Sequence, residues 1–222
     1  MARLLFAVLL FAAYAASAVD LRGQVMLSAN GKALRASEAA EAVVYFRPRA
    51  AFEPPQPMPP VSMSTRRKEF VPRVLPITPG TEVGFPNLDP ILHNAFSTST
   101  GNAFDTGVYG TGKGSTHKFS TPGLVKVYCN VHHSMSASIL VLDTPWFTQP
   151  DAQGRFELRN LPEGQGDLVV FHDRTAPWQQ SLDPAATTAE LEIELELKRR
   201  RVPPHMNKFG KPYANTSGPG NY

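Results

Sequence analysis

The sequence has one cysteine in 222 residues, Cys129, so no disulfide can form within the chain. In an exported protein, where cysteines are normally paired, a lone thiol is a buried inert group, an intermolecular bridge or a metal ligand. Long apolar runs are missing as well. After residue 18 no window approaches the roughly 20 apolar residues of a membrane-spanning helix, so no integral membrane segment is expected. Stretches with the 3.6-residue period of a helix are few, while proline (21) and glycine (16) are plentiful, a balance that favours short strands and many turns. Neither a Gly-x-Ser-x-Gly nucleophile motif nor a His-Glu-x-x-His zinc motif occurs.

The C-terminal end lacks acid. From Lys198 onward stand Lys198, Arg199, Arg200, Arg201, Lys208 and Lys211 with no aspartate or glutamate. Setting those six and Arg3 aside from the 22 basic residues leaves 15 against 19 acidic ones, a net of −4 for 19–197. An acidic body with a basic tail is not the footprint of a nucleic-acid-binding domain, which carries its excess on a folded face. At the other end, Arg3, an apolar run from Leu4 to about Ala13 and the small residues Ala16-Ser17-Ala18 fit a cleaved leader. The expectation is therefore a signal peptide over 1–18 and a mature protein exported to the periplasm. No cysteine near the cleavage site offers a lipid anchor.

Along the mature chain the strand signals are short. Gly23 to Leu27 and Ala42 to Phe46 are rich in β-branched and aromatic residues; Asn30-Gly31 between them signals a hairpin, and Ser37 to Glu41 allows one helical turn. Six prolines from Pro48 to Pro60 predict an extended loop with no ladder. Further strands are expected at Phe70 to Ile77, Glu82 to Phe85, His117 to Phe119, Leu124 to Tyr128 (with Lys126 facing solvent), Ser138 to Leu142, Arg155 to Leu158 and Asp167 to Phe171. From Glu190 to Leu197 leucines and isoleucine alternate with glutamates, which is the period of a half-buried strand despite glutamate's helical preference. The residues from Val202 onward show no core pattern and read as a tail, disordered or docked on the body.

The stretch Tyr128-Cys129-Asn130-Val131-His132-His133-Ser134-Met135 holds a thiol, an imidazole three positions on and a thioether three further. Thiolate, imidazole and thioether are the soft and borderline ligands that select copper, and two imidazoles with a thiolate and a weak axial thioether suit both of its oxidation states. The missing imidazole is expected from His93, in Leu92-His93-Asn94-Ala95-Phe96. His133 reads as a solvated neighbour, His117 and His172 as strand residues, Met58 and Met63 as loop filling.

With the early His-Asn pair, the Pro122-Gly123 turn before the ligand strand and the Cys-x-x-His-x-x-Met loop, the chain over about Phe70 to Leu142 resembles the cupredoxins, the blue-copper proteins that include plastocyanin and amicyanin. The resemblance implies a Greek-key β-sandwich holding one type 1 copper ion on His93, Cys129, His132 and axial Met135, with Asn94 bracing the loop and His132 as the electron's port. Val131 and His133 replace prolines common in the family. The flanks, through Gly23-x-Val25, Ala42-Val43-Val44, Asp151-x-x-Gly154-Arg155-Phe156 and Leu161-Pro162-x-Gly164, resemble a carboxypeptidase regulatory-like, transthyretin-like sandwich. The expected class is all-β, a cupredoxin domain over 68–142 inserted in or joined to a second small sandwich over 19–50 and 143–197, with a proline-rich loop at 51–67 and a basic tail at 198–222.

These readings together imply a non-enzymatic carrier passing single electrons between redox partners such as a cytochrome or a dehydrogenase. A copper-binding or copper-delivery protein without electron transfer is the alternative, and a structural or adhesive β-protein with a relic site is the third.

Overall fold

The computed structural model describes residues 19–198, 202 and 205–213; the leader at 1–18 and the arginines 199–201 lie outside the described residues. Among the described residues every regular element is a strand, apart from two 3-10 turns at Ala36–Glu41 and Pro184–Ala186, so the molecule is all-β.

Strands from the two ends of the chain build one pair of sheets. Val19–Ala29 runs between Arg155–Leu161, antiparallel, and Leu191–Glu196, parallel. The facing sheet is ordered Phe147–Thr148, Val43–Pro48, Gly166–Phe171, Trp178–Leu182. Leu21, Val25 and Leu27 from one sheet meet Val44, Phe46, Leu168 and Val170 from the other in a common core. Leu191–Glu196 shows how pattern overrides propensity: Ile193 and Leu195 are buried while Glu192, Glu194 and Glu196 point outward. A helix would have wrapped the same residues round all sides. Burial of each aliphatic side chain contributes about 1.5–3 kcal/mol, more than the fraction of a kcal/mol that glutamate's helical preference supplies. Asn30 and Gly31, both at positive φ, turn Val19–Ala29 back into the two-residue strand Lys32–Ala33, so the hairpin signal at Asn30-Gly31 marks a real turn with a very short return.

The middle of the chain builds a second set. One sheet runs Phe104–Asp105, Phe96–Ser97, Gly123–Tyr128, Ser136–Val141, Val74–Ile77, and the other Thr116–Phe119, Thr81–Gly84, Val61–Ser62. Between them pack Phe85, Phe119, Val125, Val127 and Ile139, with Met63, Cys129 and Met135 in the same cluster. The strand expected over Phe70 to Ile77 is two, Glu69–Val71 and Val74–Ile77, because Pro72 cannot donate to a ladder. Lys126 does not face open solvent: it is half-buried and its Nζ donates to Ser138 Oγ at 2.9 Å. His172, read as a strand-end residue, is buried.

The two sets touch through a third apolar cluster, Val43 and Phe171 against Val74, Leu140 and Leu142. Beside it Arg73 Nε donates to Asp173 Oδ2 at 2.9 Å, both side chains largely buried. The Ser136–Val141 strand, which leaves the metal loop, thus packs on both faces, through Ile139 on one and Leu140 on the other.

Candidate metal centre

Cys129 follows directly on the Gly123–Tyr128 strand, and Met135 directly precedes Ser136–Val141. Because Tyr128 pairs with Ser136 across this antiparallel hairpin, the two ligand candidates sit opposite each other at its mouth. The Cys129 amide donates to Met135 O at 3.3 Å, and the Met135 amide to His132 O at 3.0 Å, closing the turn between them. His93 comes from a neighbouring segment. Its backbone exchanges two hydrogen bonds with Tyr109, at 3.0 and 2.9 Å, and three residues later Phe96 pairs with Tyr128. That pairing carries His93 alongside Cys129.

The result is a convergence of donors. His93 Nδ1 lies 3.8 Å from Cys129 Sγ and 3.1 Å from His132 Nδ1, and the three donor atoms all lie within 4.8 Å of one another. An ion bonded to nitrogen and sulfur at about 2.0–2.3 Å holds two of its ligands about 3–4 Å apart, so this triangle fits one metal ion. Cys129 and His93 are fully buried and His132 half-buried, and Met135, 1 % exposed, lies in the same cluster as Cys129. The His132 amide points at Cys129 Sγ from 3.5 Å, a contact that stabilises a thiolate and tunes its redox behaviour.

Why His93 offers Nδ1 is set by Asp89. His93 Nε2 is 2.9 Å from Asp89 Oδ2. Burial opposes ionisation of Asp89, but the Lys68 and Arg67 amides and His93 outweigh it and hold the carboxyl below its ordinary value. An ionised carboxylate can only accept, so Nε2 carries the proton and Nδ1 presents its lone pair to the site. Burial, followed by repulsion from His93 and Lys68, pushes the His132 imidazole below its ordinary pKa, which favours the neutral, ligating form.

Asp89 is in turn fixed. The Arg67 and Lys68 amides donate to it at 2.6 and 2.9 Å, and Asn87 Oδ1 accepts from the Asp89 amide at 2.9 Å and from Thr65 Oγ1 at 2.8 Å. Asp89 has no role among the expectations from sequence; a carboxylate four residues before the candidate histidine was the available signal. Asn94 Oδ1 accepts from the Asn130 amide at 2.6 Å while its Nδ2 donates to Asp105 Oδ1 at 3.1 Å.

No protein-family model and no curated protein matches the sequence. Among solved structures, the copper-containing nitrite reductase of Thermus scotoductus is similar at 27% identity over 44% of this chain and 26% of that one, with a TM-score of 0.37. A purple cupredoxin from Nitrosopumilus maritimus is similar at 26% identity over 37% of this chain and 99% of that one, TM-score 0.33. Amicyanin from Paracoccus versutus is similar at 19% identity over 37% and 80%, TM-score 0.34. The neighbours are cupredoxins. The chain spans about a quarter of the nitrite reductase's length, and at these scores what the site can do follows from its own donor atoms.

Other sequence-predicted residues stand apart from the triangle. The ring of His133 packs on Tyr213. His117 stacks on Phe104 at 4.9 Å. Met63 is core. Donor atoms of Glu41, His172 and Asp173 also lie within 4.8 Å of one another, but there Asp173 is already engaged by Arg73 and His172 Nδ1 accepts from the Arg174 amide at 3.2 Å.

Proposed function

We propose that this chain is an exported, periplasmic type 1 copper protein that passes single electrons between redox partners. The observation that carries the reading is the meeting of His93 Nδ1, Cys129 Sγ and His132 Nδ1 within 4.8 Å, with Met135 buried in the same cluster. Copper bound there supplies a one-electron couple on ligands tolerable to both of its oxidation states. The chain's own part is to hold those ligands still. Strands on both sides of the loop, Asp89 behind His93 and Asn94 behind Asn130 keep the site from relaxing when its charge changes. Burial of Cys129 and His93 weighs against delivery of the ion, since an acceptor must reach the ligands it replaces.

His132 is the ligand nearest solvent. Its chain neighbour Val131 is 40 % exposed, and Leu92, the chain neighbour of His93, is 56 % exposed. In this reading the exposed apolar side chains beside the two ligand histidines offer a cytochrome or dehydrogenase its point of contact. No described helix is long and apolar enough to cross a membrane. The sandwich over 19–50 and 143–197 is, in this reading, a carboxypeptidase regulatory-like module that carries the copper unit of 68–142.

The test is an absorption spectrum. The apo protein titrated with Cu(II) should gain an intense thiolate-to-copper band toward the red end of the visible at one ion per chain, and lose it reversibly on reduction. Cys129→Ser should show no such band at any copper level. Stoichiometric copper without the band in the unaltered chain would refute the reading.

A further inference from the structure

Past the last described strand, Leu191–Glu196, residues 205–213 lie against the metal loop. His205 stacks on Tyr128 with centroids 3.9 Å apart and planes 5° apart, Tyr213 packs on His133 at 3.6 Å, and His205 meets Tyr213 edge-on at 5.3 Å. Between these aromatics lies a turn: Asn207 N donates to Lys211 O at 2.8 Å and Gly210 N to Asn207 O at 2.9 Å. At that turn Lys208 Nζ reaches Asp105 Oδ2 at 2.7 Å and its amide donates to Asn130 Oδ1 at 3.3 Å. Asp105 is the residue that accepts from Asn94, and Asn94 accepts from the Asn130 amide. Lys208 therefore closes a ring of hydrogen bonds through Asp105, Asn94 and Asn130, the residue that follows Cys129.

The loop has a choice to make. His132 and His133 are adjacent imidazoles on one short connection, and a slip of one residue would exchange one for the other. In the structure His132 Nδ1 faces His93 while the His133 ring lies against Tyr213. We propose that residues 205–213 form a strap that selects His132 over His133 as the loop's metal ligand, Tyr213 holding His133 outward and Lys208 tying the strap to the bonds that set the loop. The inference rests on the copper reading above. Lys208 and Tyr213 are positioning residues, since neither is a ligand candidate. The Tyr213 hydroxyl is buried with no hydrogen-bond partner, so the ring is the part that matters. An aromatic pair of this kind biases a two-way choice by about 2- to 10-fold.

The full-length chain and its Tyr213→Ala, Tyr213→Phe, Lys208→Gln and Tyr213→Ala/His133→Ala variants, loaded with Cu(II), should be compared by electron paramagnetic resonance and visible absorption. The unaltered chain and Tyr213→Phe should give one copper species. Tyr213→Ala should show a second, its share about 2- to 10-fold above any trace in the unaltered chain, Lys208→Gln should show the same second species, and the double variant should return to one. A single unchanged species in both Tyr213→Ala and Lys208→Gln, at full copper occupancy, overturns the proposal. If the unaltered chain takes up no copper the parent reading fails instead. The apo chain then decides separately, since the His133 ring-proton resonances should move in Tyr213→Ala but not in Tyr213→Phe, and no movement in either sinks the strap.

Discussion

At the scale of single residues the site is organised by a carboxylate that binds no metal in the proposed arrangement. Asp89 gathers two backbone amides and the His93 Nε2–H, and each bond fixes something different: the amides keep it ionised, and the imidazole bond assigns the tautomer of His93. Asp89→Asn keeps the shape but removes the charge, so His93 can rotate or carry its proton on Nδ1. Loss of an outer-shell partner of a metal-bound histidine typically costs 10- to 100-fold in affinity. We expect Asp89→Asn to bind copper about tenfold more weakly by competition with a chelator, with the visible band retained because Cys129 is untouched. An affinity equal to that of the unaltered chain would show that His93 needs no such orientation.

Among the elements, the Cys129 to Met135 loop is the part most legible in the sequence, because its donors are close in the chain and the hairpin that joins them forces proximity. His93 was legible by its His-Asn neighbourhood, and Leu191–Glu196 by strict alternation. The role of Asp89 was not, since its partner amides belong to the Arg67-Lys68 turn about twenty residues away. Nor was the docking of Tyr213 on His133 or of His205 on Tyr128, contacts between aromatics about eighty residues apart that no local pattern announces. Lys126 was misplaced by alternation alone, for its amine turns to Ser138 on the neighbouring strand. One loop position is decided by backbone geometry. Gly114 has φ +63°, and a Cβ there would strike the Phe85 carbonyl, just where Phe85 N bonds Ser115 O at 2.9 Å. Gly114→Ala should cost about 2 kcal/mol or more, read as a fall in the midpoint of denaturant unfolding. An unchanged midpoint would mean that the 110–115 loop moves aside freely.

For the whole molecule the first question is how the two sandwiches hold together. Arg73 and Asp173 are 14 % and 10 % exposed in their side chains, and taking away one partner of such a pair leaves the other charge desolvated. Arg73→Met should therefore destabilise by about 3 kcal/mol, seen as a lower melting temperature with the copper band intact, since no ligand candidate touches Arg73. A melting temperature unchanged within error would make the apolar contacts of Val43, Val74, Leu140 and Phe171 sufficient on their own. The second question is how stability depends on pH, and two kinds of group answer it in different windows. Burial pushes His117 below its ordinary 6.5, and His132 is pushed down in the same direction. Both stay neutral in the fold while the unfolded chain takes up protons, so their contribution is complete above pH 6.5 and is lost as the pH falls from there toward their folded values. Asp89 and Asp105 lie below their ordinary 3.8: burial opposes this, but the Lys68 and Arg67 amides outweigh it for Asp89, and Lys208 and Asn94 do so for Asp105. Their contribution is present above 3.8 and disappears only as the pH drops through those lower values. The apo protein's melting temperature should thus hold level above pH 6.5, decline below it, and decline again under pH 3.8. Copper on His132 keeps that ring deprotonated in the fold while the unfolded chain still takes up the proton, so the loaded protein retains the His132 share of the upper step, and His117→Gln should remove only the His117 share while leaving the acid step unchanged. A melting temperature that rises between pH 6.5 and 5 would contradict the burial of both imidazoles.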